Sequence, residues 1–223
     1  GAGKTMLTRA LVDAFADRCR FSFVVNPALP PAQLLGAVAE GFGLANPKRK
    51  ADAFSAVAEH VARVDEQGNF AVVVVDEAQL LAGRGAFDEL RLLTNVCADD
   101  RALVGLVLVG QPELRERIAD RGGAAFAQRV GVAYHLGPLD AEETARYVTH
   151  RLAVAGRTRP LFTPEGLAAL HRVSGGVPRV VNQYAASALL EGFARDADIL
   201  SADVVEAAAQ DLATQLGPAV RAR

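Results

Sequence analysis

Apolar residues form four short runs in the first 137 residues, and each has the length of a buried strand. These runs are Phe21–Val25, Phe70–Val75, Leu103–Val109 and Val130–Leu136. A run of mostly β-branched residues, as in the second, is typical of a strand covered on both faces of a parallel sheet. Between the runs lie segments with helical periodicity, so strands alternate with helices. This order predicts an α/β fold with a parallel sheet and helices on both faces.

The helices of this core are predicted from apolar stripes and from prolines at first turns. The first is expected from Thr5 to Arg18, with Leu7, Leu11 and Ala14 facing inward. Further helices are predicted after Pro30-Pro31, from Ala51 to about Val64, along the stripe Phe87, Leu90, Leu93 and Cys97, and shortly after Leu114.

The pattern changes at Gly137, after which no strand-like run returns. Asp140 followed by Glu143 forms a capping box for one helix. Three more helix starts follow at Thr163-Pro164, Pro178 and Ser201. We therefore expect two domains, an α/β core over residues 1–137 and a small helical lid over residues 138–223.

Composition indicates a globular protein and narrows the classes of partner. The 223 residues are 51% hydrophobic and 22% charged, which is enough apolar content to build a core. A net charge of −2 gives no overall basic field for nucleic acid. Two isolated cysteines and four scattered histidines match no metal-ligand spacing and suit a reducing compartment. No apolar run approaches the length of a membrane span.

The chain opens on Gly-Ala-Gly-Lys-Thr, which matches the closing positions of a phosphate-binding P-loop. Glycines let the backbone approach a triphosphate closely, and a helix starting at Lys4 adds the positive end of its dipole. The Lys4 ammonium suits the β- and γ-phosphates, and the Thr5 hydroxyl is a ligand for Mg²⁺. The alternative is a glycine-rich helix start followed by a chance Lys-Thr pair. The predicted nucleotide-binding set is Gly1, Ala2, Gly3, Lys4, Thr5 and Met6.

Two adjacent carboxylates, Asp76 and Glu77, end the β-branched run. The carboxyl ends of parallel strands are where such sheets bind ligands. Asp76 is predicted to hold Mg²⁺ together with Thr5, and Glu77 to orient and deprotonate the attacking water. A plain helix N-terminus would also favour carboxylates. The P-loop residues upstream favour ATP hydrolysis instead.

A P-loop normally follows a strand in the middle of its sheet, and the sequence opens inside the motif. We therefore expect the first strand of the core to be missing. Its neighbours would then expose unpaired backbone groups on apolar edges, so the chain as written is expected to fold poorly alone.

The core, the helical lid and the motifs together resemble an AAA+ ATPase. Several sequence motifs narrow this resemblance to one family. They resemble the ATPase domain of the general secretion pathway protein A family, of the ExeA type, over nearly the whole chain. These motifs are Val75–Gln79, Leu90–Asn95, Val109–Leu114, Tyr134–Leu136 with Pro138-Leu139, Glu142–Val148 and Gly175–Arg179.

The resemblance implies roles for three further residues. It places Gln111 at the sensor-1 position, makes Arg179 the sensor-2 arginine of the lid, and makes Arg129 the arginine finger. Arg117 and Arg121 lie close to Arg129 in sequence and stay open as alternative fingers.

Asn26 stands at the end of a predicted strand. By the same resemblance it is a candidate for the polar group that restrains Glu77 between turnovers. The alternative for Asn26 is a turn residue in front of Pro27.

The resemblance implies an ATP- and Mg²⁺-dependent ATPase that forms a homo-oligomer and energises or regulates envelope secretion machinery. It also implies a cytoplasmic domain with inner-membrane attachment through segments outside this sequence. The alternative function is an ATP-dependent DNA-binding transposition helper of the TniB or MuB kind. Nine basic against ten acidic residues from residue 138 onward speak against DNA. A binding-only module is a third possibility, against which an intact Glu77 speaks.

Overall fold

The structure is a computed structural model that describes residues 3–45, 49–120 and 124–216. The predicted site residues Gly1 and Ala2, and the alternative finger Arg121, lie outside these ranges. The described chain forms two compact units: the first comprises Lys4–Tyr134, and the second comprises the residues from His135 onward, with which Gly3 is grouped. A division into folding domains at residues 137 and 138 stays a prediction.

The first unit alternates helices with strands, as the apolar runs predict. Its elements are α1 (Lys4–Phe15), β1 (Cys19–Val24), α2 (Pro31–Gly41), α3 (Lys50–Glu66), β2 (Phe70–Val75), a 3₁₀ turn (Ala78–Leu80), α4 (Gly83–Leu93), β3 (Cys97–Ala98), β4 (Arg101–Ala102), β5 (Val104–Leu108), α5 (Glu113–Ala119) and α6 (Ala124–Ala127).

A three-stranded parallel sheet of order β1-β2-β5 forms the centre of this unit. Strand β2 lies between the other two, and all its residues after Phe70 are buried. A strand that is bonded on both edges and covered on both faces leaves no position for a polar side chain, which explains its valine run. The predicted parallel α/β fold is confirmed.

Helices α2, α3 and α4 supply most of the core that packs with the sheet, through residues such as Leu35, Val57 and Leu90. Helix α2 lies very close to β1. The Ser22 hydroxyl donates to the Val38 carbonyl at 2.8 Å, and a Cβ on Gly41 would fall 2.2 Å from that hydroxyl oxygen. The small residues at these two positions therefore allow the close contact.

The structure contradicts two predictions about the edges of this unit. No residue of α1 is buried, and the stripe predicted to face inward includes Leu7, which is 53% exposed. The predicted strand Val130–Leu136 is irregular chain that joins no described strand. Apolar residues form a buried face only where another element covers them, and a strand only where another strand pairs with it. The described chain leaves α1 largely uncovered and Val130–Leu136 unpaired.

A third correction concerns Cys97, which the apolar stripe placed on a helix. Helix α4 ends at Leu93, and Cys97 lies in the two-stranded antiparallel β3–β4 hairpin. The turn residues Asp99 and Asp100 both have positive φ, 48° and 61°. Aspartate tolerates such a turn, so a two-residue hairpin loop forms here instead of another helical turn.

In its described residues, the second unit contains four helices: α7 (Ala141–Val154), α8 (Pro164–Ser174), α9 (Pro178–Ala194) and α10 (Ala202–Leu216). All four predicted helices are present. The capping box has formed, since the Asp140 carboxylate accepts from the Glu143 N–H at 2.7 Å and Glu143 accepts from the Asp140 N–H at 3.0 Å. Leu170, Val181 and Val205 are among the residues of a separate apolar core.

Within the described ranges, no helix combines the length and apolarity needed to cross a bilayer.

Candidate functional site

The carboxyl ends of the three parallel strands place four of the predicted site residues in the loops at one edge of the sheet. The register aligns Val24 with Val75, and Val75 with Leu108, so the three strands end level. The loops that follow these ends carry Asn26, the pair Asp76 and Glu77, and Gln111, respectively. The sequence placed Asn26, Asp76 and Glu77 at strand ends, and the resemblance placed Gln111 at its site position. The register accounts for their common edge.

Glu77 has a backbone conformation that is unusual for a residue with a side chain. Its φ and ψ are 48° and 37°, in the left-handed region. The Asp76 Oδ1 atom accepts a hydrogen bond from the Glu77 N–H at 2.8 Å. The next N–H, from Ala78, donates to the Val109 carbonyl at 2.9 Å. These bonds join the loop after β2 to the end of β5.

Two carboxamides hold the side chain of Glu77 by one oxygen. Gln79 Nε2 donates to Glu77 Oε2 at 2.5 Å, and Gln111 Nε2 donates to the same oxygen at 3.4 Å. The pKa of Glu77 is lowered by the bond from Gln79 first and by that from Gln111 second, and the charge of Lys4 adds to the effect. Partial burial acts in the opposite direction. The carboxylate is therefore kept ionised.

Gln79 also contacts the Gln111 backbone, because its Oε1 accepts from the Gln111 N–H at 3.0 Å. Gln79 belongs to the sequence motif Val75–Gln79, but the sequence predicted no role for this residue. The only available signal was its position two residues after Glu77. In an extended strand the side chains at i and i+2 share a face, but here a left-handed turn intervenes.

Arg117 anchors this turn from helix α5. Its guanidinium donates to the Gln79 carbonyl and, at 2.5 Å, to the Leu81 carbonyl. The same guanidinium lies 5.6 Å from the centroid of the Phe87 ring, within the range of a cation–π contact. Arg117 was an alternative for the arginine finger. In this structure its guanidinium N–H groups donate to backbone carbonyls of its own unit.

Arg129 follows α6 and is exposed. One of its guanidinium nitrogens, Nη1, lies 3.4 Å from the Thr94 hydroxyl, a long and weak hydrogen bond. It precedes an exposed apolar segment in which Val132 and Tyr134 are 89% and 84% exposed. Arg129 does not belong to the hydrogen-bond network around Glu77.

The described part of the P-loop begins at Gly3. Gly3 has a φ of +92°, a conformation that side chains rarely adopt, and the space where its Cβ would lie is open. Lys4 is the first residue of α1, and Thr5 and Met6 follow on its exposed first turn. An open helix N-terminus with a lysine and a hydroxyl is chemically suited to phosphate.

Thr5 and Asp76 offer the oxygen ligands that Mg²⁺ prefers. Asp76 uses Oδ1 to accept from the Glu77 N–H. No cluster of three or more His, Cys, Asp or Glu side chains with metal-binding geometry occurs among the described residues. The hydroxyl and the carboxylate are the donor types that would hold a magnesium ion bound together with a triphosphate.

Two predicted site residues have other surroundings. Asn26 Oδ1 accepts from the Ala28 N–H at 3.3 Å, the geometry of a turn around Pro27. Arg179 is an exposed residue in the first turn of α9, within the helical unit. Their roles as restraint of Glu77 and as nucleotide ligand stay predictions.

Comparisons with known proteins point to one family. A profile of the AAA domain family matches residues 1–118. The general secretion pathway protein A of Aeromonas hydrophila is 39% identical over 200 residues, which are 87% of this chain and 36% of that protein. The chain thus spans about a third of the length of this curated relative.

Solved structures share the fold at low identity. The ORC2 protein of Aeropyrum pernix superposes with a TM-score of 0.63 at 19% identity, covering 94% of this chain and 58% of that chain. Drosophila ORC bound to DNA gives a TM-score of 0.68 at 16% identity, covering 98% and 54%. Cdc6p from Pyrobaculum aerophilum gives 0.67 at 16%, covering 90% and 55%.

Proposed function

The chain belongs to the AAA domain family of ATPases, and on this premise we propose that it binds ATP with Mg²⁺ and hydrolyses the terminal phosphoanhydride bond. One observation carries the proposal. Asp76, Glu77 and Gln111 meet at the carboxyl edge of the parallel sheet, where the Asp76 carboxylate accepts from the Glu77 N–H and Gln111 donates to the Glu77 carboxylate. A triphosphatase needs these side chains in this arrangement.

Binding of the triphosphate is assigned to residues 1–6. The backbone of Gly1, Ala2 and Gly3 would face the phosphates, and the Lys4 ammonium would neutralise the β- and γ-oxygens. Thr5 and Asp76 would hold Mg²⁺, which supplies positive charge to the phosphate oxygens when bound. The open space at Gly3 and the exposure of Thr5 and Met6 support this assignment.

Hydrolysis is assigned to Glu77 as general base. Its carboxylate takes one proton from a water molecule while the water oxygen forms a bond to the γ-phosphorus. The bond from the γ-phosphorus to the bridging oxygen breaks, and ADP leaves with that oxygen. The proton then passes to the product phosphate or to solvent. Gln111 is assigned to sense the γ-phosphate beside this step, and its contact with Glu77 supports that position.

A homo-oligomer is proposed because Arg129 is exposed and takes no part in the hydrogen-bond network around Glu77 of its own chain. An arginine finger acts on the nucleotide of a neighbouring subunit. The apolar side chains that follow, Val132 and Tyr134, are the kind of exposed surface that a neighbouring subunit covers. The name of the Aeromonas relative, general secretion pathway protein A, supports secretion machinery as the partner. A cytoplasmic position for this domain is part of the same proposal.

Nucleotide binding is tested first by Lys4→Ala, with ATP and Mg²⁺ titrated into purified protein by calorimetry. We expect the substitution to abolish measurable ATP binding, because it removes the ammonium that faces the β- and γ-phosphates. Arg9→Ala is the matched control, since Arg9 is an exposed cation on the same helix. Equal ATP affinity in Lys4→Ala and wild type would refute the P-loop assignment.

A further inference from the structure

The carboxamide of Gln79 bridges two loops that each carry a proposed functional residue. Its Nε2 donates to Glu77 Oε2, and its Oε1 accepts from the Gln111 N–H. Only one orientation of the amide satisfies both partners, because the reverse would set oxygen against carboxylate and N–H against N–H. The bridge therefore fixes the rotamer of Gln79 and, through it, one oxygen of Glu77.

The environment of Gln79 is built for this contact on two sides. Arg117 donates to the carbonyl of Gln79 and holds its backbone against α5. On the other side lies Gly110, where a Cβ would fall 3.0 Å from Gln79 Oε1 and 2.8 Å from Leu114 Cδ2. A side chain at residue 110 would press on the amide, so the absence of one allows the bridge.

The bridge leaves one carboxylate oxygen of Glu77 for a substrate. Both carboxamides donate to Oε2, and no described residue donates a hydrogen bond to Oε1. A general base needs an oxygen lone pair that is free to accept a proton and a carboxylate that is held in one orientation. The hydrogen bonds to Oε2 hold the carboxylate in one orientation, and they leave the lone pairs of Oε1 free to accept the proton.

We propose that Gln79 is a positioning residue that couples the Gln111 loop to Glu77, anchoring Oε2 and leaving Oε1 to face the attacking water. This inference rests on the proposed ATPase function. A movement of the Gln111 loop on contact with the γ-phosphate is passed to the base through the amide of Gln79. The loops after β2 and β5 thereby respond as one unit.

Two substitutions separate the halves of the bridge. Gln79→Met removes both donor and acceptor at similar side-chain length, whereas Gln79→Glu keeps an acceptor for the Gln111 N–H and replaces the donor to Glu77 by a repelling carboxylate. Both variants should lower kcat by about 10- to 100-fold, as is usual when a group that orients a reacting residue is removed. The KM for ATP should change less than about 3-fold, because neither half contacts the bound triphosphate in this assignment.

Amide hydrogen exchange at Gln111, measured by NMR without nucleotide, tests the bridge independently of catalysis. Exchange should become faster in Gln79→Met and stay near the wild-type rate in Gln79→Glu. Gln67→Met, at an exposed glutamine after α3, is the matched control and should change neither quantity. The assays use the full-length protein, and thermal melting confirms that each variant folds.

The outcomes separate the two proposals. A wild type that binds ATP without hydrolysing it would refute the proposed function, while the exchange data would still decide whether Gln79 holds Gln111. An unchanged Gln111 exchange rate in Gln79→Met would overturn the bridge even in an active enzyme. An unchanged kcat in both variants, with an active wild type, would overturn the positioning role.

Discussion

At the scale of single residues, the site depends on a strained backbone at Glu77. A residue with a side chain in the left-handed region costs about 1–3 kcal/mol, and such strain collects at functional positions. The φ of 48° at Glu77 is held by the Asp76 carboxylate and by the bond from Ala78 to Val109. Because of this turn, the carboxylate reaches Gln79 and Gln111 instead of continuing the line of β2.

The residues of the site differ in how far the sequence could predict them. Asp76, Glu77 and Gln111 follow buried strands, and parallel strands end at a common edge, so their proximity follows from the apolar runs. The bond from Gln79 could not be predicted, because it depends on the positive φ of Glu77. A glutamate at that φ is not encoded by any local turn preference, which would favour glycine or asparagine.

At the scale of elements, the α8–α9 connection shows how closely two segments can approach when one of them lacks a side chain. Gly175 and Gly176 both have positive φ, 58° and 72°. Leu139 donates its N–H to the Gly176 carbonyl at 2.9 Å, and a Cβ on Gly176 would fall 1.9 Å from the Leu139 carbonyl oxygen. No such contact lies near the Cβ position of Gly175.

We predict that Gly176→Ala destabilises the helical unit by roughly 2–4 kcal/mol, since it combines left-handed strain with a backbone clash. Gly175→Ala carries the strain alone and should cost about 1 kcal/mol. Denaturant unfolding followed by circular dichroism measures both variants against wild type. Equal losses of stability at the two positions would contradict the close approach of Leu139.

The helices of the second unit were predictable because each carries its own start signal, such as the capping box at Asp140 or the proline after Thr163. Long helices and strands of the first unit were predictable from periodicity. The errors concern elements whose state depends on a partner. The segment Val130–Leu136 has the apolar content of a strand, but a strand exists only when another strand pairs with it.

At the scale of the whole molecule, the proposed oligomer is needed to complete the catalytic site. Arg129 makes one long hydrogen bond within its own chain, while Arg117 is bound to two carbonyls. An arginine finger stabilises charge on the γ-phosphoryl group and is worth about 10³–10⁵ in rate. We therefore propose Arg129 as the finger, acting on the nucleotide of the next subunit.

We predict that Arg129→Ala binds ATP, hydrolyses it slowly, and regains part of the activity when mixed with Lys4→Ala protein. The mixture forms interfaces that pair an intact P-loop with an intact finger. Phosphate release against mixing ratio is the assay, and Arg115→Ala, at an exposed arginine of α5, is the control that should be active alone. If the mixture stays inactive while sedimentation shows normal oligomers, Arg129 is not a finger in trans.

The central claim, that Glu77 activates the water that hydrolyses ATP, is tested most directly by steady-state phosphate release from Glu77→Gln protein. The variant keeps the size of the side chain and removes the base, so ATP binding should match wild type while kcat falls by about 10²–10⁴-fold. Hydrolysis at the wild-type rate in Glu77→Gln, with ATP binding unchanged, would contradict the claim.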